Sequence, residues 1–278
     1  MTGIKKILFP VDFSQRCEGA ARYVESFAGW FEAEILLLHV VDATTYASAS
    51  EQLCLSRQDR LSDFMVRELK QFTVRRVCTM GDPAEEIVKM ARSWEPDLVM
   101  MPTYGLGFYR PSLLGSVTAK VLHDVPCPVW TSTHSAEAPP LEKITLSNVL
   151  CALDLGQRSE PILEWAASLA KQHAADLGIA HAAPVLATGA GPSLHPQIAG
   201  SLAAAAQDRI DALQSAAGTA ARVFVSGGEP AKVVACAARD FHADVLVIGR
   251  HSGRGEHGHL RHNAYAIIRD SACPVISI

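Results

Sequence analysis

The chain has 278 residues, 49% of them hydrophobic and 19% charged, with a formal net charge of −4. That length accommodates one large domain or two ordinary ones, and the apolar share excludes intrinsic disorder, which needs low hydrophobicity and high net charge. The longest apolar runs, such as Leu36–Val41, fall well short of the roughly 18–20 residues that span a bilayer, and no basic block supplies the footprint of a nucleic-acid binder, so neither membrane nor nucleic acid is expected as a partner.

The opening Met1–Lys6 and the short run Ile7-Leu8-Phe9 lack the long apolar segment of a secretory leader, which makes the cytoplasm the expected compartment. In chain order, Lys5–Val11 reads as a strand ending at a polar turn, and Ser14 as the N-cap of a helix that runs to about Phe31. Ile35–Val41 is a continuous apolar run, the mark of a strand covered on both faces. Leu53, Leu61, Phe64, Met65 and Leu69 space a helix over Glu51–Lys70, and Thr73–Cys78 is a weaker strand. Pro83–Trp94 is a helix with proline at its tolerated first position. Asp97–Met101 is a strand, Ser116–His123 a helix and Val129–Ser132 a last strand. Strands and helices that alternate in this way predict a parallel sheet wrapped by helices on both sides.

The second half of the chain echoes the first. Val149-Leu150-Cys151-Ala152-Leu153-Asp154 matches Ile7-Leu8-Phe9-Pro10-Val11-Asp12 at an offset of 142, and Gly228-Glu229-Pro230-Ala231 matches Gly81-Asp82-Pro83-Ala84 at 147. Asp244-Val245-Leu246-Val247 matches Asp97-Leu98-Val99-Met100 at 147, and Cys273-Pro274-Val275 matches Cys127-Pro128-Val129 at 146. Ordered matches at nearly one offset imply two copies of one domain, over residues 1–133 and 147–278, joined by a small, polar, proline-bearing linker over 134–146. The second copy then places strands at Val149–Leu153, Leu177–His181, Ala221–Val225, Val245–Ile248 and Val275–Ile278. Its helices fall at Glu160–His173, Ile198–Ala217, Ala231–Phe241 and Asn263–Asp270. The apolar last strands, Val129–Ser132 and Val275–Ile278, are edges that invite pairing, either between the copies or in a homodimer. The seven cysteines are scattered without a C-x-x-C pair, so they read as buried thiols rather than a zinc cage.

In an open parallel sheet, ligands bind beyond the carboxyl ends of the strands where the winding reverses. In copy one the loop after Asp97–Met101 carries Pro102, Thr103, Gly105, Gly107, Gly115 and Ser116, and leads directly into a helix. A helix start offers backbone N–H groups and partial positive charge to an anion, glycine lets backbone approach it closely, and Asp12 ends the first strand across the same crevice. The plain alternative is a strand-to-helix loop in which the glycines form turns. The loop is no P-loop, because G-x-x-x-x-G-K-[ST] is missing, and Arg110 spoils G-x-G-x-x-G.

With Ile7-Leu8-Phe9-Pro10-Val11-Asp12-Phe13-Ser14, His39-Val40-Val41, Gly81-Asp82-Pro83-Ala84, Gly105-x9-Gly115-Ser116 and Val125-Pro126-Cys127-Pro128-Val129-Trp130, the chain resembles a tandem member of the universal stress protein family. The resemblance implies an adenine nucleotide alpha hydrolase-like fold: two tandem doubly wound five-stranded parallel-sheet domains. It also implies a stress-response role and an ATP, ADP or AMP ligand accompanied by Mg, in members that carry G-x-x-G-x9-G-[ST]. By that resemblance the backbone at Val41 meets the adenine and Asp12 the ribose end, with Pro10 and Val11 beside it among the nucleotide-binding residues. Gly105, Gly115 and Ser116 hold the phosphates, and Pro102, Thr103, Gly107 and Val117 complete the nucleotide-binding set. The first motif glycine is Pro102 here, which has no N–H to donate.

Copy two keeps that first glycine as Gly249 and the carboxylate as Asp154, but its second falls on Ser252, its third on His262 and its hydroxyl on Asn263. A modified pocket would use Gly249, Arg250 and Arg254. His251, His257, His259 and His262 invite a metal reading, against which stands a glycine-rich loop without cysteine or carboxylate ligands. His257-Gly258-His259 and Ser226-Gly227-Gly228 resemble pieces of nucleotidylyl-transferase and pyrophosphatase loops, but both sit after the wrong strand. No nucleophile elbow, H-E-x-x-H or kinase signature occurs, so no catalytic residue is assigned and at most a slow ATPase is expected. Two readings follow: a nucleotide-responsive stress regulator with protein partners still to be found, and a nucleotide-independent scaffold with vestigial sites.

Overall fold

The computed structural model describes residues 3–42, 51–105, 113–134, 137–184, 196–250 and 259–278. They form two compact units, Thr2–Ile144 and Thr145–Ile278. In the first, β1 (Lys6–Pro10), α1 (Gln15–Phe31), β2 (Glu34–Asp42), α2 (Glu51–Asp63), β3 (Val74–Gly81), α3 (Pro83–Trp94), β4 (Leu98–Met101), α4 (Ser116–Asp124) and β5 (Val129–Thr131) alternate along the chain. The strands pair in parallel in the order β3-β2-β1-β4-β5. The second unit repeats the plan with β6 (Asn148–Ala152), α5 (Ser159–Gln172), β7 (Asp176–Ala183), α6 (Pro196–Ala217), β8 (Arg222–Gly227), α7 (Pro230–Asp240), β9 (Val245–Ile248), α8 (His259–Asp270) and β10 (Val275–Ser277). Its parallel order is β8-β7-β6-β9-β10. In each unit the winding reverses beside the first strand, between β1 and β4 and between β6 and β9.

Local chemistry sets the boundaries. The Ser14 hydroxyl accepts the Cys17 amide at 3.1 Å and starts α1, and the Asp82 carboxylate accepts the Glu85 amide at 2.9 Å and starts α3 behind Pro83. Gly81 and Gly228, at the same place in the repeat, have φ of 157° and 145°, a backbone region closed to side chains. The shared aspartate just before the fourth strand also has one job in both copies. Asp97 Oδ2 accepts the amides of Lys5 and Lys6 at 2.8 and 2.9 Å, and Asp244 Oδ2 those of Ser147 and Asn148 at 2.6 and 3.0 Å, so each carboxylate ties down the entry of its unit's first strand. Phe9, Leu37, Leu98, Met100 and Trp130 are fully buried in the first unit, each worth about 1.5–3 kcal/mol of apolar burial.

Three expectations change. The helix predicted over Glu51–Lys70 ends at Asp63, because Met65 turns left-handed with φ 53°, and Arg76 donates to the carbonyls of Leu61 and Phe64 at 3.1 Å each. The last helix of copy two begins at His259, a full turn before Asn263. The cysteines are not uniformly buried: Cys17, Cys151 and Cys273 are, Cys54, Cys78 and Cys127 are partly exposed, and Cys236 is exposed. Burial pushes the Cys17 and Cys151 thiols far up and that of Cys273 to about 12, so these three stay protonated. Part of the segment expected to link the copies rests on α1, where Arg22 donates to the carbonyls of Ala138 and Pro139.

Candidate functional site

The strand ends at the reversal point carry a turn that both copies share. Asp12 Oδ1 accepts the Ser14 amide at 2.9 Å and its hydroxyl at 2.7 Å, and Asp154 Oδ1 accepts the Gly156 amide at 2.8 Å and the Ser159 hydroxyl at 3.2 Å. The residue between is left-handed in each, Phe13 with φ 61° and Leu155 with φ 60°. For a residue with a side chain that conformation costs about 1–2 kcal/mol, so the surroundings must enforce it. Phe13 is gripped by the His39 ring at 4.6 Å, the Phe64 ring at 5.6 Å and the Arg60 guanidinium at 4.3 Å. His39 Nδ1 donates to the Val11 carbonyl at 2.7 Å, and its repeat partner His181 to the Leu153 carbonyl at 2.8 Å. Burial holds the His39 imidazole below the usual histidine range.

In the first unit these strand ends open onto a cleft of about 540 Å³. Pro10, Val11, Asp12, Pro102, Gly105, Gly115, Ser116 and Val117 line it together. Two predicted residues are not among its lining: Val41 is buried, and Thr103 turns into the core, with only 1% of its surface exposed. Gly107 lies outside the described residues. The floor is apolar, made by Leu38, Val40, Pro83, Ile87 and Met101, which the motif did not single out. The available signal was spacing: Leu38 and Val40 alternate on one face of β2, and Pro83 and Ile87 lie one turn apart on α3.

Gly105 has a strict reason to be glycine. A Cβ there would lie 2.0 Å from Asp12 Oδ2, so the bare backbone rests against the carboxylate. Gly115 caps α4 with no side chain of its own, and helix geometry leaves the amides of the first turn, Ser116 and Val117 among them, without intrahelical acceptors. The Gly115 amide is committed elsewhere, donating to the Thr103 carbonyl at 2.9 Å, and the Thr118 hydroxyl donates to the Pro102 carbonyl at 3.1 Å. The loop is thus clasped at its base, while Ser116 and Val117 line the cleft.

The second unit has a smaller cleft, about 240 Å³, lined by Asp154, Arg158, Ile162, His181, Gly249 and Asn263 among others. Ile162 leans on Gly249, where a Cβ would meet its Cδ1 at 2.6 Å. With α8 already under way from His259, the amides of His262 and Asn263 fall inside the helix rather than at its start. Arg250 is buried, and its amide donates to the Ile278 carbonyl at 2.8 Å. Ser252, Arg254, His251 and His257 lie outside the described residues. Among the described residues no group of three His, Cys, Asp or Glu side chains could hold a metal, and no helix is long and apolar enough to cross a membrane.

The family model of universal stress proteins matches the chain twice, over residues 3–132 and 145–278. The chain belongs to the universal stress protein family. It is 29% identical over 142 residues to one universal stress protein of Methanocaldococcus jannaschii, an alignment covering 42% of this chain and 88% of that one. A second protein of the same organism is 30% identical over 135 residues, covering 45% and 79%. Both alignments span about one copy. A universal stress protein from Archaeoglobus fulgidus shares the whole two-copy fold, with a TM-score of 0.72 at 20% identity over 98% of this chain and 95% of that one. This universal stress protein is therefore a tandem one, as its internal repeat predicted.

Proposed function

We propose that the N-terminal copy binds ATP or ADP and that the protein acts as a cytoplasmic, nucleotide-responsive stress regulator. The observation that carries this reading is the close approach of Gly105 to Asp12, beside the uncapped start of α4 in a 540 Å³ cleft at the winding reversal. The apolar floor suits a purine, the Asp12 carboxylate accepts from a ribose hydroxyl, and the first-turn amides of α4 take a phosphate. No cluster of protein ligands for a metal is present among the described residues. The phosphates themselves would hold Mg, which supplies counter-charge when bound, while Ser116 and the α4 amides orient the phosphate.

One observation favours a nucleotide-independent scaffold instead. The Gly115 amide is already committed to the Thr103 carbonyl and Pro102 has no N–H, so two backbone donors are withdrawn from the nucleotide site. Isothermal titration with ATP and ADP separates the readings. Heat at micromolar to millimolar nucleotide, lost in Gly105→Ala because the new Cβ displaces the Asp12 carboxylate, supports the first. Silence from the unaltered chain at millimolar ATP supports the scaffold. Pairing through the last strands, between the copies or in a homodimer, belongs to the same proposal and is read by light scattering.

A further inference from the structure

The N-terminal cleft poses an electrostatic difficulty for the ligand proposed above. Among its described lining residues one side chain is charged, and that is a carboxylate, Asp12. A di- or triphosphate brought there needs a cation from just outside. The geometry points to Arg16, in the first turn of α1, as that counter-charge; the inference rests on the nucleotide reading and names the residue that selects for polyphosphate.

Three observations converge on it. The Arg16 guanidinium lies 4.9 Å from the centroid of the Tyr104 ring, a cation–π contact. Tyr104 lines the cleft and abuts the phosphate-facing helix start: a Cβ on Gly115 would sit 3.2 Å from the Tyr104 Cα. The His134 ring meets Tyr104 at 5.2 Å and 68°, so the tyrosine is a supported platform rather than a loose side chain. Arg16 is thereby stacked on a ring that lines the cleft, in a residue whose backbone abuts the start of α4. The repeat provides the independent observation. At the offset of 142 that relates Asp12 to Asp154, the second copy also has an arginine, Arg158, and that one is part of its cleft lining. The same sequence position thus delivers a guanidinium from the cap of α5 to the cleft in one copy, and from the first turn of α1 to the Tyr104 ring that lines the cleft in the other. A planar guanidinium matches two phosphate oxygens at once, which a lysine does not.

The test is calorimetric titration of the full chain with ATP, AMP and adenosine in EDTA, so that no divalent ion substitutes for the side chain. Arg16→Gln is expected to weaken ATP about ten- to a hundred-fold, the range for a hydrogen bond to a charged group. It should weaken AMP less and leave adenosine unchanged. Arg16→Lys should recover part of the ATP affinity, and the unfolding midpoint should stay within a degree or two of the parent. Equal losses for ATP and adenosine would show a merely structural role and overturn the proposal, as would unchanged ATP binding in Arg16→Gln. The two ideas fail differently. Unchanged ATP binding in the variant removes Arg16 and leaves the cleft, whereas no binding by the parent chain removes both.

Discussion

The two clefts sit on the same scaffold and differ in what was built over it. Both have the aspartate turn at the end of the first strand, the left-handed residue after it and the histidine that ties the second strand to the first. They part at the fourth strand's loop. In copy one Pro102 removes an amide but α4 starts at Ser116, leaving its first turn open to the cleft. In copy two the glycine is retained as Gly249, but Ile162 fills the space over it and α8 starts a turn earlier. The scaffold is therefore shared while the loop above it differs, and keeping the glycine does not keep the helix start beside it.

The largest expected effect comes from Ile162→Ala. Removing a buried side chain should cost the second unit about 2–5 kcal/mol, seen as a lower urea midpoint. It opens room beside Gly249, but the stoichiometry of ATP in titration should stay at one per chain, because the amides of His262 and Asn263 remain inside α8. Uptake of a second equivalent would break the comparison by showing that space, not the helix start, had separated the copies. The next effect is Pro102→Gly, which returns a backbone donor to copy one. ATP should bind about ten-fold or more tightly, consistent with roughly 1.5–3 kcal/mol for a hydrogen bond to a charged group. The accompanying loss of stability should be about 0.4–1 kcal/mol, as the unfolded chain gains freedom. An affinity that does not move would mean that this position never faced the ligand.

The smallest effect is a pH dependence. The folded His39 imidazole lies below its ordinary value, chiefly through burial, with Arg57 and Arg60 also disfavouring its charge and the Val11 carbonyl and Asp12 favouring it. On acidification the unfolded histidine takes up its proton first, near 6.5, so this stabilisation is present above that pH and fades as pH falls through the folded value. Urea midpoints of the parent between pH 7.5 and 5 should fall more steeply than those of His39→Gln.

Much of this was legible in the sequence because the deciding chemistry is local. Asp82-Pro83 specifies a helix start by a capping carboxylate and a fixed φ, and the helix occupies Pro83–Trp94 as read. What escaped notice depended on tertiary contacts. The apolar periodicity through Leu69 said nothing of the left-handed turn at Met65, beside which Arg76 of β3 holds the Leu61 and Phe64 carbonyls. The carbonyl of Thr103 was invisible as the partner of Gly115, because a loop's closing hydrogen bond joins residues that no periodicity relates. The side chain of Val40, and not that of Val41, lines the cleft for a simpler reason, since alternate residues of a strand face opposite sides; the resemblance assigns only the backbone of Val41 to the adenine.

The Thr103–Gly115 hydrogen bond has a last consequence. It already holds the two ends of the loop together, so lengthening the interval between them costs little in chain entropy, roughly 0.6 kcal/mol for each doubling. Substitutions can accumulate there without loosening the packed sheet and helices beneath. After a duplication, such a tethered stretch is where twin domains are freest to drift toward separate duties.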